Sequence, residues 1–155
     1  MEGLMAVVRI EPDDALLACT TLGTVDHVDA HLLDSDLVRS PAQWAREILE
    51  NVSARRQLSL RAGWTLLGIK LRHGDHDVIA GWPVAHCDTE YVRLHADSYT
   101  GLTGELVTRV TDGGIVFATF VQVDGPVARL LWDRALGAHL MIVPALLAQA
   151  RERVG

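Results

Sequence analysis

Residues 102–123 read LTGELVTRVTDGGIVFATFVQV, and a Gly125-Pro126 step follows them. Asp112-Gly113 is the dipeptide that a type I′ turn requires, because both of its central residues need positive φ. Pairing outward from that turn predicts two strands, Leu102–Thr111 and Gly114–Val123. Val110 then sits opposite Ile115, Thr108 opposite Phe117, Leu106 opposite Thr119 and Leu102 opposite Val123. These residues make one apolar face. Arg109, Glu105, Thr103 and Gln122 fall on the other, which reads as solvated. Gly125-Pro126 ends the second strand and opens a helix to about Arg153. Trp132, Ala135, Leu136, His139, Val143, Leu146 and Leu147 recur along it at i, i+3, i+4, i+7 spacing and form a single stripe. Pro144 lies inside this helix and predicts a kink near Leu140, because proline lacks an N–H and collides with the preceding turn.

Working back from there, Val78–Cys87 and Glu90–Ser98 read as an earlier hairpin with Asp88-Thr89 at its tip. Ser40-Pro41-Ala42-Gln43 is a helix start: Ser40 suits the N-cap, Pro41 the first helical position, and Gln43 completes a capping box. That helix should run to about Asn51, and a second from Ala54 to Leu71. His73-Gly74-Asp75-His76-Asp77 reads as a polar loop. Val25–Leu33 alternates cleanly, with Val28, Ala30 and Leu32 on one side and His27, Asp29 and His31 on the other, as in a half-buried strand. Residues 1–24 are poorly defined by pattern; Leu4–Ile10 reads as a short strand and Asp13–Leu22 as a helical turn. No repeat or linker divides residues 1–155. The plan is a single α+β domain: a strand, two helices, four antiparallel strands and a long C-terminal helix.

Composition narrows the classes. The 155 residues are 49% hydrophobic and 22% charged, which excludes disorder. The net charge of −6, with fourteen cations of which only Lys70 is lysine, argues against nucleic acid and against an anionic lipid surface. No run approaches the roughly 18–20 apolar residues of a membrane span, so no integral membrane segment is expected. The N-terminus lacks the cationic start of a signal peptide. Two cysteines, Cys19 and Cys87, make no disulfide framework. A cytoplasmic protein with two reduced, packed thiols is the expectation.

Several apolar stretches carry a resemblance: Val78-Ile79-Ala80-Gly81-Trp82, Tyr91-Val92-Arg93-Leu94, Phe117-Ala118-Thr119-Phe120-Val121, Pro126-Val127-Ala128-Arg129-Leu130-Leu131-Trp132, and His139 to Pro144. From about Val25 to Arg153 the chain resembles the START-like superfamily, also called SRPBCC or Bet v 1-like. It is similar in particular to small bacterial members of the DUF2867-like group and to those labelled polyketide cyclases. The resemblance implies a helix-grip fold, in which a curved antiparallel sheet wraps around a long C-terminal helix. It also implies a cavity between them for a lipid, polyketide or sterol-like molecule.

On this plan the cavity should be lined by Leu94, Leu106, Thr108, Phe117, Thr119, Trp132 and Leu136, with Trp64 and Trp82 as further aromatic walls and His139 as the one inward ionisable group. His139 would then orient a ligand or serve as an acid/base; alternatively it is a neutral core histidine bonded to a carbonyl, Thr108 or Thr119. His27-x-Asp29-x-His31 carries metal-capable side chains, but strand neighbours at this spacing chelate only with distortion, so an exposed polar face is expected and no metal. Three functions remain. The first is a soluble carrier or sensor of a hydrophobic small molecule, without a cofactor and as a monomer or homodimer. The second is a cyclase, dehydratase or isomerase that uses the same cavity. The third is a protein–protein module docking through an outer sheet face that includes an exposed Phe120. A carrier predicts one isolated polar group, an enzyme two or more convergent titratable groups with shifted pKa values.

Overall fold

The structure is a computed structural model that describes residues 7–73 and 77–154. Along the chain come β1 (Val7–Ile10), α1 (Asp14–Leu17), β2 (His27–Leu33), α2 (Pro41–Leu49), α3 (Ala54–Leu66), β3 (Val78–Ile79), β4 (Trp82–Cys87), β5 (Tyr91–Ala96), β6 (Leu102–Thr111), β7 (Gly114–Val123) and α4 (Pro126–Val154). The strands form one curved antiparallel sheet in the order β1-β2-β7-β6-β5-β4-β3, and α4 packs across β1, β2, β6 and β7. This α+β architecture is compatible with a helix grip. Residues 4–6 of the expected first strand and 74–76 of the expected polar loop lie outside the described residues.

The deciding hairpin has the expected register: Val110 pairs with Ile115, Thr108 with Phe117, Leu106 with Thr119 and Leu102 with Val123, around Asp112-Gly113. Gly114, the next residue, has φ of 135° and lies so close to β2 that a Cβ there would be 2.3 Å from the Leu33 carbonyl oxygen. The helix start at Ser40 also stands as expected, with both bonds of the capping box formed between Ser40 and Gln43. α4 is a single 29-residue helix containing Pro144, and its buried stripe (Ala128, Trp132, Val143, Leu146, Leu147 and Ala150) persists on both sides of the proline. By length and composition α4 is long and apolar enough to cross a membrane. Here the stripe belongs to the main core with Trp44, Ile48, Leu94, Leu106 and Phe117.

Three boundaries differ. The helix expected to reach Leu71 stops at Leu66, where Gly68 at φ of 74° follows a Schellman arrangement: Ile69 N–H donates to Trp64 and Gly68 N–H to Thr65. The strand expected over Val78–Cys87 folds back at Ala80-Gly81, both at positive φ, and becomes the short β3–β4 hairpin. The tip of the next hairpin is Thr89-Glu90, not Asp88-Thr89, because the Asp88 carboxylate accepts from the Glu90 and Tyr91 amides and Asp88 N–H donates to Tyr91.

The larger correction concerns the outer face of the sheet. It is not solvated, because residues 13–22 lie across it. Leu16 and Cys19 join Ala30, Val107, Val116, Ala118 and Phe120 in a second core, with Val28 and Leu32 packed alongside. Phe120, expected to be exposed, is fully buried. So is Glu105, which accepts from the Thr20 hydroxyl, from the Thr21 hydroxyl and amide, and from His95 Nδ1 at 2.8 Å. Arg93 donates to the Cys19 carbonyl at 3.1 Å. The N-terminal segment is thus latched down by polar groups that the pattern assigned to water. Cys19 is buried as expected, and burial raises its thiol pKa; Cys87 is exposed rather than packed.

Candidate functional site

β2 turns His27, Asp29, His31 and Leu33 toward α4, while Val28, Ala30 and Leu32 face the N-terminal strap. The expectation for this strand is reversed: Asp29 and His31 are 1% and 3% exposed. Cross-strand pairing sets Asp29 opposite Thr119 and His31 opposite Phe117. From the other side α4 delivers His139, about two turns beyond Trp132 on the stripe.

The result is a cluster around one carboxylate. His27 Nε2 is 2.7 Å and His139 Nε2 2.8 Å from the same oxygen, Asp29 Oδ2. His31 Nδ1 stands 3.7 Å from the other oxygen, Oδ1, too far for a hydrogen bond. The Trp132 ring centroid lies 5.2 Å from that of His27 and 5.3 Å from that of His139, an apolar wall beside both imidazoles. The His27 and His139 side chains keep 15% and 17% exposure, so the cluster is reached from outside through them.

Burial by itself would raise the Asp29 pKa, but the hydrogen bonds from His139 and His27 outweigh it and hold the carboxyl well below the usual carboxylate range. Asp29 is therefore anionic and accepts only, which puts an N–H on Nε2 of both His27 and His139. Burial lowers the His31 pKa against the opposing pull of Asp29, keeping that ring neutral near pH 7. The ion-pairing partners of Asp29 among the described residues are all histidines. Three buried polar atoms here have no partner: Asp29 Oδ1, His31 Nδ1 and Thr119 Oγ1. Unpaired atoms at such depth are costly in a folded chain.

The residues expected to line a cavity are divided by the structure. Thr119, Trp132 and His139 belong to the cluster. Leu94, Leu106, Thr108 and Phe117 are buried on the inner sheet face, and Leu136 is half-buried on α4. Trp64 and Trp82 instead meet each other edge to face at 5.7 Å, and Trp82 closes on Gly104, where a Cβ would come within 3.1 Å of its ring. Trp64 also lines a cleft of about 280 Å³ between α3 and the β3–β4 hairpin, with Arg61, Arg72 and Gly81. His139 has the inward position expected of it, but its partner is the carboxylate of Asp29, neither a carbonyl nor a threonine. His27 and Asp29 are the members of the cluster that pattern did not place with His139. Their signal was present in the metal-capable triplet on β2; it was the side of the strand that pattern misassigned.

No family model, curated protein or solved structure matches the chain.

Proposed function

We propose that this chain is an enzyme acting on a largely apolar small molecule, with the cluster of His27, Asp29, His31 and His139 under α4 as its polar centre. One observation carries the reading: a fully buried, ionised carboxylate shares a single oxygen between two imidazoles. A carrier needs one isolated polar group to orient its cargo, whereas convergent titratable groups with displaced pKa values are the mark of catalysis. Asp29 accepts Nε2–H from each ring, which fixes the tautomer and leaves Nδ1 of His27 and His139 as proton acceptors. Either ring can then exchange a proton at Nδ1 while Asp29 holds its Nε2–H in place. Trp132 and the half-buried Leu136 offer apolar contact to the rest of the substrate. Proton transfer at carbon or oxygen, as in an isomerisation, cyclisation or dehydration, suits these parts.

Substrate trapping tests this. Asp29→Asn keeps the shape of the side chain and removes the charge that orients and stabilises the imidazoles. Both proteins are mixed with a small-molecule extract of cells and examined by native mass spectrometry. An enzyme shows a small-molecule adduct on Asp29→Asn that wild type converts to a product separable from it by chromatography, with the same mass after an isomerisation or cyclisation and one water lighter after a dehydration. The same adduct, equally retained by both proteins, would instead make the chain a carrier of that molecule and end the enzyme reading.

A further inference from the structure

We infer that His27, Asp29 and His139 are the protein ligands of a site for one divalent first-row transition metal ion. The inference rests on the functional reading above in placing the reaction at this centre, and it changes the part the histidines play: with the ion bound, Nε2 would be a ligand and Nδ1 would carry the proton, so the metal would take over the role given there to the imidazoles. The three donor atoms lie within 4.8 Å of one another, and the two histidine–aspartate separations are 2.7 and 2.8 Å. Ligands about 2.0–2.2 Å from a common metal are separated by roughly 3–3.4 Å, so the two histidine–aspartate pairs need open by only about half an ångström, while the two histidines would close toward each other by about an ångström through side-chain rotation. Both imidazole rings already bring Nε2 to the Asp29 carboxylate, the third donor of the set. Neutral histidine needs only to carry its proton on Nδ1 instead, so no charge has to be created on either ring.

Donor chemistry selects the metal class. Magnesium and calcium take oxygen ligands, whereas two imidazoles and one carboxylate suit iron, cobalt, nickel or zinc. Three protein ligands leave coordination positions open, as in catalytic rather than structural centres.

Two observations independent of the donor set point the same way. The anion of Asp29 is buried without a lysine or arginine partner among the described residues, so a cation would supply the missing charge. Asp29 Oδ1, His31 Nδ1 and Thr119 Oγ1, all buried, have hydrogen-bonding capacity that no protein group uses. His31 and Thr119 stand beside and opposite Asp29, where a polar molecule held at an open position would reach them. The strand spacing alone looked unfit for chelation because His27 and His31 point along one strand. A helix ligand resolves that: His139, 110 residues beyond Asp29 in the chain, replaces His31 in the set.

The test uses the full chain, stripped with a chelator and then titrated with Co²⁺ and Zn²⁺, with Mg²⁺ as control. Calorimetry gives stoichiometry, and the visible absorption of Co²⁺ reports the ligands. One ion per chain is expected for Co²⁺ and Zn²⁺ and none for Mg²⁺. Loss of a residue that merely supports a ligand costs roughly 10–100-fold in affinity, so His139→Gln and Asp29→Asn should each cost at least about 100-fold. Both replacements retain hydrogen-bonding side chains, and circular dichroism confirms that each variant is folded. His86→Ala, which removes a partly exposed histidine paired with Asp88, should change nothing. Absence of stoichiometric Co²⁺ binding overturns the inference, as does binding that His139→Gln leaves unchanged in affinity and spectrum. Either result removes the metal and leaves the trapping experiment to decide the enzyme reading by itself.

Discussion

Replacing Glu105 by glutamine should unlatch the N-terminal segment, with an effect confined to a window of pH. Burial would by itself raise the pKa of this carboxyl, but hydrogen bonds from His95, Thr20 and Thr21 bring it down to about 2 from an ordinary 4.5. A displacement of that size corresponds to stabilisation on the order of 3 kcal/mol while the carboxylate is ionised. A depressed carboxylate stabilises above its unfolded pKa, and the contribution disappears as pH falls from about 4.5 toward 2. His95 moves the opposite way. Its hydrogen bond to Glu105 raises its pKa against the effect of burial, so its contribution is full below about 6.5 and fades as pH rises through the folded value. The stability difference between wild type and Glu105→Gln should therefore peak between about pH 4.5 and 6.5 and shrink on both sides. Urea unfolding of both proteins from pH 2.5 to 8.5 measures the difference directly. Hydrogen exchange of residues 13–22 should accelerate in the variant. A difference that is flat across this range, or below about 0.5 kcal/mol at pH 5.5, would refute the latch.

Two further outcomes test the packing. Asp29→Leu with His139→Leu replaces the charge and one of its partners by apolar groups. It should leave the fold as stable as wild type or about 1–4 kcal/mol more so, while His139→Leu alone costs about 3 kcal/mol by orphaning part of the carboxylate; thermal unfolding with circular dichroism checks both, and a double variant that fails to fold would make the cluster a structural device. Gly114→Ala sets a Cβ 2.3 Å from the Leu33 carbonyl oxygen at a φ of 135°, so it should lose on the order of 2–4 kcal/mol in urea unfolding, where a loss under 1 kcal/mol would mean that the β2–β7 contact is looser than described.

What the sequence disclosed depended on whether a signal was local. Asp112-Gly113 and the Ser40–Gln43 box are complete within a few residues, so the hairpin register and the helix start could be read directly. The stripe from Trp132 to Leu147 likewise fixed which side of α4 turns inward. Strand alternation separates two faces but does not say which one water touches. That rule works when only one face is covered. Here α4 covers one face and residues 13–22 the other, so Glu105 and Phe120 were assigned to solvent, and the polar side of β2 was turned outward. Leu16 and Cys19 are the residues that cover the second face, and four residues of helix leave too little periodicity to disclose it. The candidate site suffered from the same cause. His139 was placed by helical phase, but its carboxylate partner lay on the strand face taken to be wet.

The position of β2 between β1 and β7 also governs when the protein becomes itself during synthesis. β2 is made early, yet one of its two neighbours is the last strand of the sheet, and His139 follows still later on α4. Contacts this distant along the chain are slow to form, because the intervening loop must be closed before they contribute. A ribosome-bound chain that has reached only β6 carries His27, Asp29 and His31 without α4 above them, and the part of the inner apolar core that α4 completes is still open. Such an intermediate is a natural client for a chaperone. Asp29 and His139 first meet when α4 docks, so the cluster they form is absent from every translation product that stops short of His139.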